Sequence, residues 1–153
     1  METEPKPQLK EYGNWIKGDL KKEGGELERT LITFFGEEFS YQNKKEVYEE
    51  ILELYQSAEL ESLNDKMWSD LENTESWSVP MGDFNEVSRI VGDKRDWASL
   101  RDSFQENNEM EAPIIAHLPN GKYHLISGNT RLCVAKASGI RSKVFILELP
   151  DFK

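Results

Sequence analysis

The sequence predicts an α+β (α/β) fold in two parts, a helical subdomain over residues 1–75 and a small mixed sheet with helices over residues 76–153. Three observations carry that expectation. Apolar residues before residue 75 recur with a helical period, at Leu27, Leu31, Phe34 and Phe35 and again at Val47, Ile51, Leu54 and Tyr55. Two apolar runs flank Pro119-Asn120-Gly121, a hairpin pattern, because Asn and Gly both tolerate a positive φ. The second run ends in Ser127-Gly128 and passes directly into a stretch that stops at Gly139, the spacing of a strand, a tight turn and a helix with a left-handed C-cap.

The elements follow in order. Leu9, Tyr12, Ile16 and Leu20 fall near one face of a first helix, and Gly24-Gly25 separates it from the helix of Leu27 to Phe35. Asn43 with Glu46 resembles a capping box that opens the third helix, and Leu63, Met67, Trp68 and Leu71 indicate a shorter fourth. Trp77 to Met81 has the aromatic and β-branched composition of a short strand. Asp83 and Glu86 suit the start of a helix bearing Phe84, Val87 and Val91, and another helix runs through Trp97, Leu100 and Phe104. The sheet is expected from strands near 77–81, 113–118, 122–127 and 143–149, with a helix over 129–138.

At 153 residues the chain is long enough for one sizeable core. Its net charge of −10 argues against a broad nucleic-acid surface, which needs lysine and arginine to displace counterions. The single cysteine, Cys133, cannot form an intramolecular disulfide, no apolar run approaches the roughly 20 residues that span a bilayer, and METEPKPQLK has no apolar leader core. A reducing, cytoplasmic location without membrane contact is the expectation. The charge is uneven: residues 113–147 hold Lys122, Arg131, Lys136, Arg141 and Lys143 and no acid, a local +5 against −15 for the rest. A basic surface around one turn suits a compact anion such as a phosphate group.

The turn at Ser127 to Arg131 supplies the chemistry. The first N–H groups of a helix have no intrahelical acceptor and carry the positive end of its dipole. Gly128 admits a ligand to the backbone, Ser127 or Asn129 can cap the helix or donate, Thr130 adds a hydroxyl, and Arg131, expected to be exposed, adds a planar fork for phosphate oxygens. Asp83, Glu111 and His124 are the acid–base candidates for phosphoryl chemistry, Asp83 and Glu111 as acids at the mouth of two strands and His124 on a strand. Either acid could hold a Mg2+ that accompanies a nucleotide. The many glutamates of the first half read as solvated faces, since no His or Cys joins them at ligand spacing.

The stretch APIIAHLPNGKYHLISGNTRLCVAKASGIRSKVFIL resembles the core of the ParB/sulfiredoxin superfamily, over roughly residues 76–149. The resemblance implies a Gly-x-x-Arg phosphate cradle for ATP, ADP or CTP, carried here by Gly128 and Arg131 with Asn129 and Thr130 between them, and a nucleotide-side strand at Pro113-Ile114. Sulfiredoxins place their reactive cysteine where Asn129 stands, so sulfinic acid reduction is not implied, and Cys133 reads as a buried small hydrophobe. Partition-type members have a second arginine where Thr130 stands and a downstream helix-turn-helix, so centromere reading is not implied either.

Two function classes follow. One is a protein that binds a nucleotide or another phosphorylated small molecule, extending to NTP hydrolysis or phosphoryl transfer. The other is a non-catalytic interaction module that meets a basic protein partner, or mimics DNA, through its acidic N-terminal half, since all 29 acids lie in residues 1–112 and 148–153. A nuclease, which some relatives in the superfamily are, needs a dense carboxylate cluster that this sequence lacks.

Overall fold

The computed structural model describes residues 9–20, 44–92 and 95–150. It is an α+β protein with helices α1 (Lys44–Ser57), α2 (Asp65–Asp70), α3 (Phe84–Val91), α4 (Trp97–Gln105) and α5 (Asn129–Ala137). Its strands are β1 (Trp15–Ile16), β2 (Leu60–Ser62), β3 (Met110–Glu111), β4 (Ile114–His117), β5 (Tyr123–Ser127) and β6 (Lys143–Glu148). The main sheet has the order β2-β6-β4-β5 and is mixed, with β4 parallel to β6 and the other pairs antiparallel. β1 and β3 form a separate parallel pair.

Side-chain alternation sorts the sheet into two cores. Ile114, Ala116, Ile126, Phe145 and Leu147 face the larger one with Val47, Ile51 and Tyr55 of α1, while Ile115, Leu125 and Val144 face the smaller one with Leu63, Trp68 and Leu71. α5 is buried at every position from Leu132 to Ala137 and packs against α3, α4 and the Ser76–Ser78 turn. Apart from Lys136 that buried stretch is apolar, and the small Cys133, Ala135 and Ala137 let its neighbours approach.

The hairpin at Asn120-Gly121 is present, with one change. Among the described residues only Gly121 of the pair takes a positive φ, +86°, while the Asn120 side-chain oxygen accepts from the Lys122 N–H at 2.9 Å. The open edge of β5 is covered by a side chain: the Asn73 amide donates to the Leu125 carbonyl at 2.8 Å and accepts from the Leu125 N–H at 2.7 Å. Asp83 caps α3, its carboxylate accepting from the Glu86 N–H at 3.1 Å. Asn64 caps α2 in the same way, through the Met67 N–H.

Two expectations fail. Residues 9–20 are extended rather than helical: Gly13 and Gly18 each disfavour a helix by about 1 kcal/mol relative to alanine, and the backbone pairs elsewhere, Asn14 and Ile16 carbonyls accepting from Met110 and Ala112. The buried side chains there are Tyr12, Trp15 and Leu20, with Tyr12 and Trp15 packed edge-on against each other and against Phe104, while Ile16 is exposed. The strand expected at Trp77 to Met81 is instead a 3-10 turn over Ser76–Ser78 followed by a second turn at Pro80. Its Trp77 and Val79 carbonyls, which a strand would offer to a ladder, accept from the Lys136 ammonium at 2.9 and 2.8 Å. Elements on either side of residue 75 share the fold: β2 pairs with β6, β1 with β3, and α1 lies on the main core. The helix expected at Leu27 to Phe35 and the cap at Asn43 lie outside the described residues.

Lys136 sits under the Trp77 ring at 4.6 Å, and burial pushes its ammonium below the usual lysine range. Replacing it by methionine keeps the stem and leaves two carbonyls without their donor, so Lys136→Met should lower unfolding stability by about 2–4 kcal/mol in urea titration. Lys122→Met, which removes only the exposed pair with Glu72, should change it by less than about 0.5 kcal/mol.

Candidate functional site

β5 ends at Ser127 and α5 begins at Asn129, with Gly128 at φ +107° between them as the helix N-cap. A glycine brings no side chain to that cap, so the helix start carries no capping oxygen of its own. This turn forms one wall of a cavity of about 800 Å³. Ser127, Gly128, Asn129, Thr130 and Arg131 all line it, joined by Leu125 and Ile126 of β5. The facing walls are Ile90, Val91 and Arg95 at the end of α3 and beyond, Leu100 and Ser103 of α4, Glu109, Met110 and Glu111 at β3, and Asn73.

The residues of the turn are strongly committed to the protein itself. Arg131 donates to the Glu111 carbonyl at 2.5 Å and to the Ser127 hydroxyl at 2.8 Å, with the Glu111 carboxylate 3.9 Å away, and its side chain is only 16% exposed. This corrects the expectation of a solvent-facing fork: the guanidinium ties β3 to the end of β5. The Asn129 side-chain oxygen accepts from the Thr74 hydroxyl at 2.6 Å, which anchors the helix start to the loop before the 3-10 turn. Thr130 is half-buried in the cavity wall.

Gly128 has a different reason from the one its sequence suggests. A Cβ built there would lie 2.7 Å from Pro113 Cβ and 2.9 Å from Pro113 Cγ, so the glycine is demanded by the proline behind it as well as by its φ. Pro113 and Ile114 are buried structural residues, Ile114 paired with Ser127 and Phe145, and neither lines the cavity. Of the three acid–base candidates only Glu111 does. Asp83 is the N-cap of α3 and His124 lies on β5 opposite Ala116, both outside the cavity lining.

The basic window resolves into separate contacts rather than one positive surface. Arg131 holds the Glu111 carbonyl, Lys136 the Trp77 and Val79 carbonyls, and Arg141 the Leu63 carbonyl at 2.7 Å together with Asp65 at 2.6 Å, while Lys122 pairs with Glu72 at 3.1 Å. Sequence reasoning missed Asn73, Arg95, Ser103 and Glu109 as cavity residues. The one available signal was the charged run Asp93 to Asp96 between two predicted helices, which reads as an ordinary connection. Among the described residues no group of three or more His, Cys, Asp or Glu side chains could hold a metal ion, and no helix is long and apolar enough to cross a membrane. No protein-family model, curated protein or solved structure matches the chain.

Two outcomes follow from this geometry. Burial pushes the Cys133 thiol up to about 12, so it should stay unmodified by iodoacetamide at pH 8 in the folded protein and react fully in urea, as read by mass spectrometry. Gly128→Ala should cost about 2 kcal/mol or more in denaturant titration, from backbone strain plus the clash with Pro113, with or without a ligand present.

Proposed function

We propose that this chain binds the phosphate group of a nucleotide or another phosphorylated small molecule at the Gly128-Asn129-Thr130-Arg131 turn, in the manner of the ParB/sulfiredoxin fold it resembles. The observation that carries the reading is the position of the α5 start, with its glycine cap, in the wall of a cavity large enough for a mononucleotide. Backbone N–H groups at the helix start and the Thr130 hydroxyl supply donors to phosphate oxygens. Ile90, Val91 and Leu100 supply an apolar wall for the rest of the molecule, such as the base of ATP, ADP or CTP.

Glu109 and Glu111 share that cavity, and a magnesium ion carried in by a nucleotide would screen their charge from its phosphates. Hydrolysis or phosphoryl transfer, if it accompanies binding, rests on Glu111 as the lining carboxylate able to orient a nucleophile, since Asp83 and His124 stand elsewhere. A second reading, an interaction module for a basic protein, draws on the exposed Glu46, Glu49, Glu50 and Glu53 of α1.

The test is a thermal-shift series with ATP, ADP, CTP and inorganic phosphate, each with and without Mg2+, confirmed by calorimetric titration. A binding ligand at 100 times its Kd should stabilise the fold by about 2.7 kcal/mol. Thr130→Ala should weaken that binding roughly three- to tenfold by deleting one hydroxyl donor. Absence of any shift or heat with the wild-type chain defeats this reading and leaves the interaction module.

A further inference from the structure

We propose that Arg95, on the turn between α3 and α4, is the cation that recruits an anionic ligand to this cavity, and that Arg131 is a structural clamp; the proposal rests on the phosphate-binding reading above. The two arginines line the same cavity in opposite conditions. Arg131 is largely buried, donates to the Glu111 carbonyl and the Ser127 hydroxyl, and has the Glu111 carboxylate beside it to balance its charge. To turn toward a ligand it would have to release the Glu111 carbonyl, leave that acceptor without its donor and separate β3 from β5.

Arg95 carries none of those obligations. It is exposed, and its side chain makes no hydrogen bond or ion pair with another described residue. Its backbone is nevertheless fixed at both ends, the N–H donating to the Gly92 carbonyl at 3.3 Å and the carbonyl accepting from the Trp97 N–H at 2.9 Å. A guanidinium on a held backbone, at the rim of a cavity whose other arginine is already balanced, can form a two-pronged contact with a phosphate without breaking an existing one. The remaining cations of the basic window give no competitor, because Lys122, Lys136 and Arg141 each hold a partner outside the cavity lining and Lys143, on β6, does not line the cavity.

The experiment is calorimetric titration of inorganic pyrophosphate into the full-length wild type and the Arg95→Ala, Arg95→Lys and Arg131→Ala variants, with a melting curve for each. Arg95→Ala is expected to melt as wild type does and to bind pyrophosphate roughly tenfold or more weakly, with a shallower dependence of affinity on salt. Arg95→Lys should recover part of the affinity, and Arg131→Ala should lower the melting temperature. Wild-type binding with an undiminished Arg95→Ala affinity overturns this inference and leaves the phosphate-binding reading standing. Failure of wild type to bind pyrophosphate, ATP, ADP or CTP removes that reading, and this inference with it. The Arg95 comparison decides the matter even where Arg131→Ala fails to fold.

Discussion

The burial of α5 on all sides is the constraint from which the rest of the structure follows. Six consecutive residues from Leu132 to Ala137 are shielded, and one of them is a lysine. A buried ammonium requires acceptors, and the nearest carbonyls come from Trp77 and Val79. Those carbonyls are therefore turned toward the helix, and the segment that holds them coils into a 3-10 turn instead of joining the sheet. The start of the same helix emerges from the core at Gly128, where Pro113 leaves no room for a side chain. The cavity lies there, against the half-buried first turn of a helix that is enclosed from Leu132 onward.

The cations of the C-terminal half share one pattern. Arg131, Lys136 and Arg141 each donate to backbone carbonyls at least 20 residues away in sequence. Such contacts satisfy acceptors that no ladder reaches, and charge-assisted donors are stronger than neutral ones. The local positive charge is thus largely accounted for by the fold's own acceptors. Any ligand in the cavity meets balanced charge at Glu111 and Arg131, so its anion must depend on oriented N–H groups and on whichever cation stays uncommitted.

Much of the sheet region was legible in the sequence because its determinants are local. The hairpin, α5 with Gly139 behind it, β6 and the Asp83 cap each rest on patterns a few residues long. The failures have non-local causes. Leu9, Tyr12, Ile16 and Leu20 match a helical period, yet Tyr12 and Trp15 are drawn to Phe104, a residue remote in sequence. The WSV segment has strand composition, and Lys136 decides its shape from 57 residues away. At the site, the Ser127 to Arg131 turn was readable, whereas Glu109, Arg95, Ser103 and Asn73 reach the cavity only through tertiary folding. Arg131 was visible as a residue type but not as a clamp, since its acceptor is a carbonyl and carbonyls leave no trace in a sequence.

The Asn73 amide against Leu125 bears on how this protein behaves when crowded. A sheet edge with free N–H and C=O groups is a template onto which another chain can zip, the first step toward amyloid-like stacking. At Leu125 both groups are occupied by a side chain that imitates the missing strand, one donor and one acceptor in register. The imitation ends after a single residue, so it satisfies the edge without extending it. An incoming strand would have to displace it before finding any partner at that position, the middle of β5.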